Sequence, residues 1–195
     1  MVLTFDHETG YPPPGRVRVP FDEAEALLVA DAAFHESTTR RNLWAGLEEY
    51  VARFLALEEA HGDHLGGRQL LHYLWLGGSF VSTELNPRNI DLTVCLDGTA
   101  RGALRGKSGA AWLTEAFKRE SIKRKYGLSP IEMLHYPVAS VFRPDTLEEH
   151  ERTYLQRRGG WDDWWQRCRL TGEGAARHPT VESSVARRGY VEVTL

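Results

Sequence analysis

"LWLGGSFVSTELNPRNIDLTVCLDG", from Leu74 to Gly98, decides how the chain is read. It joins two apolar runs. "LLHYLWL" (Leu70 to Leu76), rich in aromatics and bounded by Gly77-Gly78, reads as a buried strand. "NIDLTVCL" (Asn89 to Leu96), with its β-branched residues and following Asp-Gly turn, reads as a second. Gly-Gly-Ser after a strand lets backbone approach a phosphate without Cβ obstruction. If a helix starts there, its free N–H groups and positive end favour an anion, and Ser79 adds a hydroxyl donor. Residues two apart on a strand share a face, so Asn89 and Asp91 point the same way. Two oxygen-bearing side chains so arranged suit a hard cation such as Mg²⁺ that also binds triphosphate oxygens. Phosphoryl and nucleotidyl transfer use such ions to neutralise developing charge. The bland alternative for Asn89–Asp91 is a strand-entry turn whose polar groups cap backbone.

Outward from this centre, "YPPPGRVRVP" cannot be helical across three prolines, so residues 1–20 are expected to form an extended arm. A helix is expected from Phe21 to Phe34. Ser37 and Thr38 offer N-caps for a longer one, in which Leu43, Leu47, Tyr50, Val51, Phe54 and Leu57 recur at three- and four-residue steps. "HGDHLGG" ends it. A helix from Ser108 to Tyr126 is stopped by Gly127, and "IEMLHYPV" (Ile131 to Val138) is a third strand with Pro137 near its end. A charged helix over Thr146 to Arg158, "WDDWWQRC", a Gly/Ser-rich loop and the strand "GYVEVTL" complete the chain. The order predicts an α/β or α+β fold, with a mixed sheet flanked by helices, and excludes a helical bundle.

The 195 residues suit one domain, spanning an arm (1–20), a core (21–145) and a helical tail with closing strand (146–195). A net charge of −3 gives no global drive toward nucleic acid. Cys95 and Cys168 form no metal or disulfide pattern and point to a reducing cytosol. No apolar run approaches the roughly 20 residues of a membrane span, and the N-terminus lacks a signal peptide's apolar core. A cytoplasmic protein is expected, with no membrane partner.

Gly-Ser, a spacer and an Asp-x-Asp strand are the signature of the polymerase-β-like nucleotidyltransferase superfamily, which this chain resembles. The closer resemblance is to an uncharacterised group of small bacterial and phage proteins within it. It is carried by "PPPG" (Pro12 to Gly15), "GGSF" (Gly77 to Phe80), "NPRNIDLTV" (Asn86 to Val94) and the late "GYVEVTL". The resemblance implies a minimal nucleotidyltransferase-like fold in which Gly77, Gly78 and Ser79 hold nucleotide phosphate and Asp91 binds metal. Asn89 stands where the superfamily has its first aspartate. An amide oxygen ligates a cation but supplies no negative charge. The superfamily's third carboxylate, on a neighbouring strand, falls to Glu132 as metal ligand and catalytic partner of Asp91, or to the vicinity of Leu134. His135 is a weaker substitute on the opposite strand face.

Basic residues recur from Arg101 to Lys125: Arg101, Arg105 and Lys107, then Lys118, Arg119 and Lys123. They make either a patch for nucleotide phosphate (Lys107) or RNA, or a solvated face interrupted by Glu115 and Glu120. Trp161, Trp164 and Trp165, at helical spacing, either dock the C-terminal helix or anchor a partner protein. His61 and His64 lie in a polar loop without further nearby ligands. Two function classes follow. The first is a degenerate nucleotidyltransferase-like pseudoenzyme that binds nucleotide or a partner protein. The second is an active Mg²⁺-dependent enzyme moving a nucleoside monophosphate from an NTP to a hydroxyl of protein, RNA or a small molecule. The resemblance adds a toxin–antitoxin or phage-defence setting to either.

Overall fold

The computed structural model describes residues 3–167, 181 and 184–195. Its centre is a five-stranded mixed sheet in the order β1-β5-β2-β3-β4, built from β1 (Gly15–Pro20), β2 (Leu71–Gly77), β3 (Ile90–Asp97), β4 (Leu128–His135) and β5 (Gly189–Thr194). The β1–β5 and β3–β4 pairs are parallel, whereas β2 runs antiparallel to both β3 and β5. The α/β class expected from the sequence is the one observed.

Strand alternation divides the sheet into two faces. Leu74, Leu76, Leu92, Val94, Val191 and Val193 point to one, where α2 (Arg40–Ala60) lays Leu43, Leu47, Tyr50, Val51, Phe54 and Leu57 against them. The expected helical stripe is therefore the core face of α2. Trp75, Cys95, Met133 and Tyr190 point to the other face, which is covered by Tyr154 and Trp165 of α7 (Glu149–Trp165). The result is a helix–sheet–helix sandwich in which every interior strand is covered on both sides.

Several expected elements shift. The second half of the arm is not free: Gly15–Pro20 pairs with β5 as an edge strand, and the closing strand lies inside the sheet between β1 and β2. The Phe21–Phe34 helix breaks into α1 (Phe21–Glu25), a π-helical turn (Ala26–Ala30) and a 3₁₀ turn (Ala32–Phe34). Ser37 does serve the start of α2, accepting from the Arg40 N–H, while Thr38 turns to Asn86. A short α3 (Gly62–Leu65) follows α2, and after β3 come α4 (Gly98–Ala103), α5 (Trp112–Glu115) and α6 (Arg119–Tyr126) in place of one helix from Ser108 to Tyr126. The "WDDWW" segment continues α7 without a break. The strand expected at Ile131 begins three residues earlier, at Leu128, and takes in Pro130. An edge strand tolerates proline because its missing N–H faces no partner.

Candidate functional site

Gly77 is the last residue of β2 and lies opposite Asp91 in the β2–β3 register. The chain then turns through a single 3₁₀ turn (Gly78–Val81). Gly78 has φ +66°, and a Cβ there would stand 2.5 Å from Asp91 Oδ2, so only glycine lets this turn close onto the carboxylate. Ser79 is half-buried, and its hydroxyl makes no hydrogen bond among the described residues. Its carbonyl accepts from the N–H and hydroxyl of Ser82. The helical segment that starts at the glycines is thus one turn, too short for an axial dipole of consequence.

Arg40 fixes this turn from behind. It is fully buried and donates to the carbonyls of Leu28, Phe80, Ser82 and Glu84 at 2.7–2.9 Å. Its guanidinium also lies 3.7 Å from the centre of the Phe34 ring. Burial lowers its pKa to about 10, so it remains a cation at neutral pH. Nothing in the local sequence marks Arg40 as buried.

Asn89 and Asp91 do share a face, and the Asn89 amide donates to Asp91 Oδ1 at 2.9 Å and lies 3.4 Å from Ser129 Oγ. Arg119, at the start of α6, brings its guanidinium to 3.8 Å from the same Oδ1. The Asp91 side chain is about one-third exposed. Gly77, Gly78, Ser79, Asn89 and Asp91 therefore form one cluster at one end of the sheet.

Glu132 does not join it. In the parallel β3–β4 register Asp91 faces Ser129 and Val94 faces Glu132, so Glu132 points to the α2-covered face and pairs with Arg101 at 2.6 Å. On Asp91's own face β4 offers Ser129, Ile131, Met133 and His135, and no carboxylate. Of the two acidic residues buried on that face, Glu192 is occupied by Arg16, Arg18 and the Trp75 indole, and Asp97 lies at the far end of β3. Lys107 is also remote. Its neighbour Ser108 is bonded to His61 beyond the end of α2, while Gly127, beside the start of β3, packs on Leu43 near the beginning of that helix. These two ends are about 25 Å apart at 1.5 Å per residue.

Four of the eight basic residues from Arg101 to Lys125 are paired, while Arg105, Lys107, Lys123 and Arg124 make no ion pair among the described residues. Arg101 pairs with Glu132, Lys118 with Glu115, Arg119 with Asp91 and Lys125 with Glu49. Trp165 is buried, its indole N–H donates to Thr93 Oγ1, and its ring lies directly over Gly77, where any Cβ would collide with it. Trp164 is 41% exposed. Docking of α7 is thus the role of Trp165. The His61 and His64 rings are 6.0 Å apart, and His61 bonds the Ser108 carbonyl. Cys95 is a buried free thiol, pushed up to about 12 by burial; Cys168 lies outside the described residues.

At the other end of β3 lies a group the sequence reading did not single out: His72, Asp97 and His135, each with a ligand atom within 4.8 Å of those of the other two. Burial is the main cause that lowers the His135 pKa, the His72 ring beside it adding to the effect.

No curated protein and no solved structure matches the chain. A family model matches residues 3–194, almost the whole length, and the chain belongs to that family, DUF6932, a family of unknown function.

Proposed function

We propose that the chain is a cytoplasmic protein of nucleotidyltransferase ancestry that binds nucleotide at the Gly78 turn and has lost the transfer chemistry. The observation that carries this reading is the approach of Gly78 to Asp91, which brings the backbone of a glycine turn against a lone carboxylate. That donor set suits one Mg²⁺ held between Asp91 and phosphate oxygens, with the Asn89 side chain at its margin, because magnesium is commonly bound by one or two carboxylates plus phosphate. It does not suit two ions, whose charge calls for more carboxylates than Asp91 alone. When bound, the ion would offset the repulsion between carboxylate and phosphate. Asn89 and Arg119 orient Asp91, and Ser79 offers a hydroxyl donor. A toxin–antitoxin or phage-defence setting accords with the resemblance of the central motif. No helix among the described residues is long and apolar enough to cross a membrane.

The test is calorimetric titration of the full chain with ATP, with and without Mg²⁺, beside an assay for label transfer from α-labelled NTPs. Mg²⁺-dependent binding that Asp91→Asn removes, without transfer, is the expected result. Transfer by the parent, lost in Asp91→Asn, would replace the proposal with an active Mg²⁺-dependent transferase. Absence of any nucleotide binding would overturn it in favour of a surface for a partner protein.

A further inference from the structure

We propose that His72, Asp97 and His135 form a binding site for one divalent transition metal of the zinc type, separate from the Asp91 cluster. The two sites lie at opposite ends of β3, six residues or about 20 Å apart. Asp97 and His135 are register partners at the ends of the parallel strands β3 and β4, on the same face of the sheet. His72 reaches them through an irregularity in β2. Leu71 pairs with Leu96 and Tyr73 with Cys95, so His72 is the extra residue of a bulge. Bulges re-aim side chains in this way, and they are common beside functional sites.

The geometry fits coordination. His72 Nε2 stands 3.5 Å from Asp97 Oδ2. Ligand atoms about 2.0–2.2 Å from a tetrahedral ion are separated by about 3.3–3.6 Å, so this pair is already spaced for it. The third ligand atom, within 4.8 Å, closes by a small rotation of a ring. The His72 and His135 ring centres are 4.7 Å apart, and His135 Nδ1 is buried without a hydrogen-bond partner. A buried, unpaired ring nitrogen is uncommon and calls for a partner. Asp97 Oδ1 accepts from the Ala100 N–H, which fixes the carboxylate and leaves Oδ2 toward the histidines. Two imidazoles and one carboxylate favour zinc-like ions over magnesium, which prefers oxygen alone. Three protein ligands with a partly exposed His72 leave a fourth position open to water or substrate.

Arg68 opposes this, with its guanidinium 3.7 Å from Asp97 Oδ2, and Arg158 is close enough to act on His135. Arg68 is half exposed and free to turn into water, whereas the two histidines and the aspartate are held by the sheet.

The test is titration of metal-free full-length chain with Zn²⁺ against a chelator of known affinity, on the parent, His72→Gln, His135→Gln, Asp97→Asn and Asp91→Asn. Asn keeps the cap on α4 while removing the charge. The parent is expected to bind one Zn²⁺ per chain. Loss of either histidine or of the Asp97 charge should weaken it at least tenfold, and Asp91→Asn should leave it unchanged, so this result is independent of the nucleotide reading. Parent binding that is no tighter than that of the two histidine variants would overturn the proposal. If a variant fails to fold, the visible spectrum of the parent with Co²⁺ decides: intense tetrahedral bands support the site, and the weak spectrum of hydrated ion refutes it.

Discussion

Gly78 and Asp91 leave no room between them: a single methyl on the glycine would meet the carboxylate at 2.5 Å. Its φ of +66° adds a second constraint, since a left-handed residue with a Cβ costs about 1–2 kcal/mol. Gly78→Ala is therefore expected to lower stability by about 1–3 kcal/mol and to displace Asp91. Chemical denaturation measures the first effect, and nucleotide titration of the still-folded variant measures the second. A variant as stable as the parent that binds nucleotide equally well would show that the close approach has no role.

Arg40 is expected to be the most sensitive charged position outside the cluster. Its removal leaves the carbonyls of Leu28, Phe80, Ser82 and Glu84 without their donor, at about 1–3 kcal/mol for each that stays dry. Arg40→Met should cost about 3 kcal/mol or more. The guanidinium, held at about 10 against a higher value in the unfolded chain, is protonated in both states below that pH. Its burial penalty is therefore constant from pH 5 to 9 and is relieved only above about 10, where the folded state releases its proton first. The parent–Arg40→Met difference in urea midpoint should accordingly be flat across pH 5–9. A slope there would point to another group.

The tryptophans separate cleanly. Trp165→Ala removes a buried ring and its bond to Thr93 and should cost about 3–5 kcal/mol. Trp164→Ala, at a partly exposed ring, should cost less than about 1 kcal/mol. Thermal unfolding of both variants tests this. Equal losses would mean that α7 docks through a different edge.

Cys95 should resist alkylation in the folded protein. A buried thiol at about 12 is roughly one part in ten thousand thiolate at pH 8. Peptide-level mass spectrometry after iodoacetamide treatment should find Cys95 unmodified until denaturant is added.

The strand pair, the Gly-Gly-Ser turn and the shared face of Asn89 and Asp91 were legible because apolar runs, turn residues and a period of two are local signals. Glu132 was not. A strand started three residues late leaves its phase open, and an odd shift sends every side chain to the other face, which parted Glu132 from Asp91. Proline at 130 hid the true start of β4. β1 is not legible as a strand because its one partner among the described residues, β5, comes from the far end of the chain. Arg40 and the His72–Asp97–His135 group were invisible for the same reason: each is assembled from residues remote in sequence, the latter with the help of a bulge.

Asn89 gives the sharpest test of the Asp91 cluster. Asn89→Asp replaces an amide that donates to Asp91 Oδ1 at 2.9 Å with a second carboxylate facing the first. Without a cation, the two negative charges repel and the lost hydrogen bond is not replaced, so the variant should be less stable than the parent by about 1–2 kcal/mol. Divalent ions should reverse this. The pair of carboxylates now matches the charge of one Mg²⁺, and an ion that binds only the folded state stabilises it by mass action. The melting temperature of Asn89→Asp should therefore rise with millimolar Mg²⁺ while that of the parent stays nearly constant without nucleotide. Transfer activity should not appear, because β4 still brings Ser129 and Ile131, not a carboxylate, to that face. A variant indifferent to Mg²⁺ would mean that the two side chains do not converge on a common ion, and the cluster would then be a strand-entry network and nothing more.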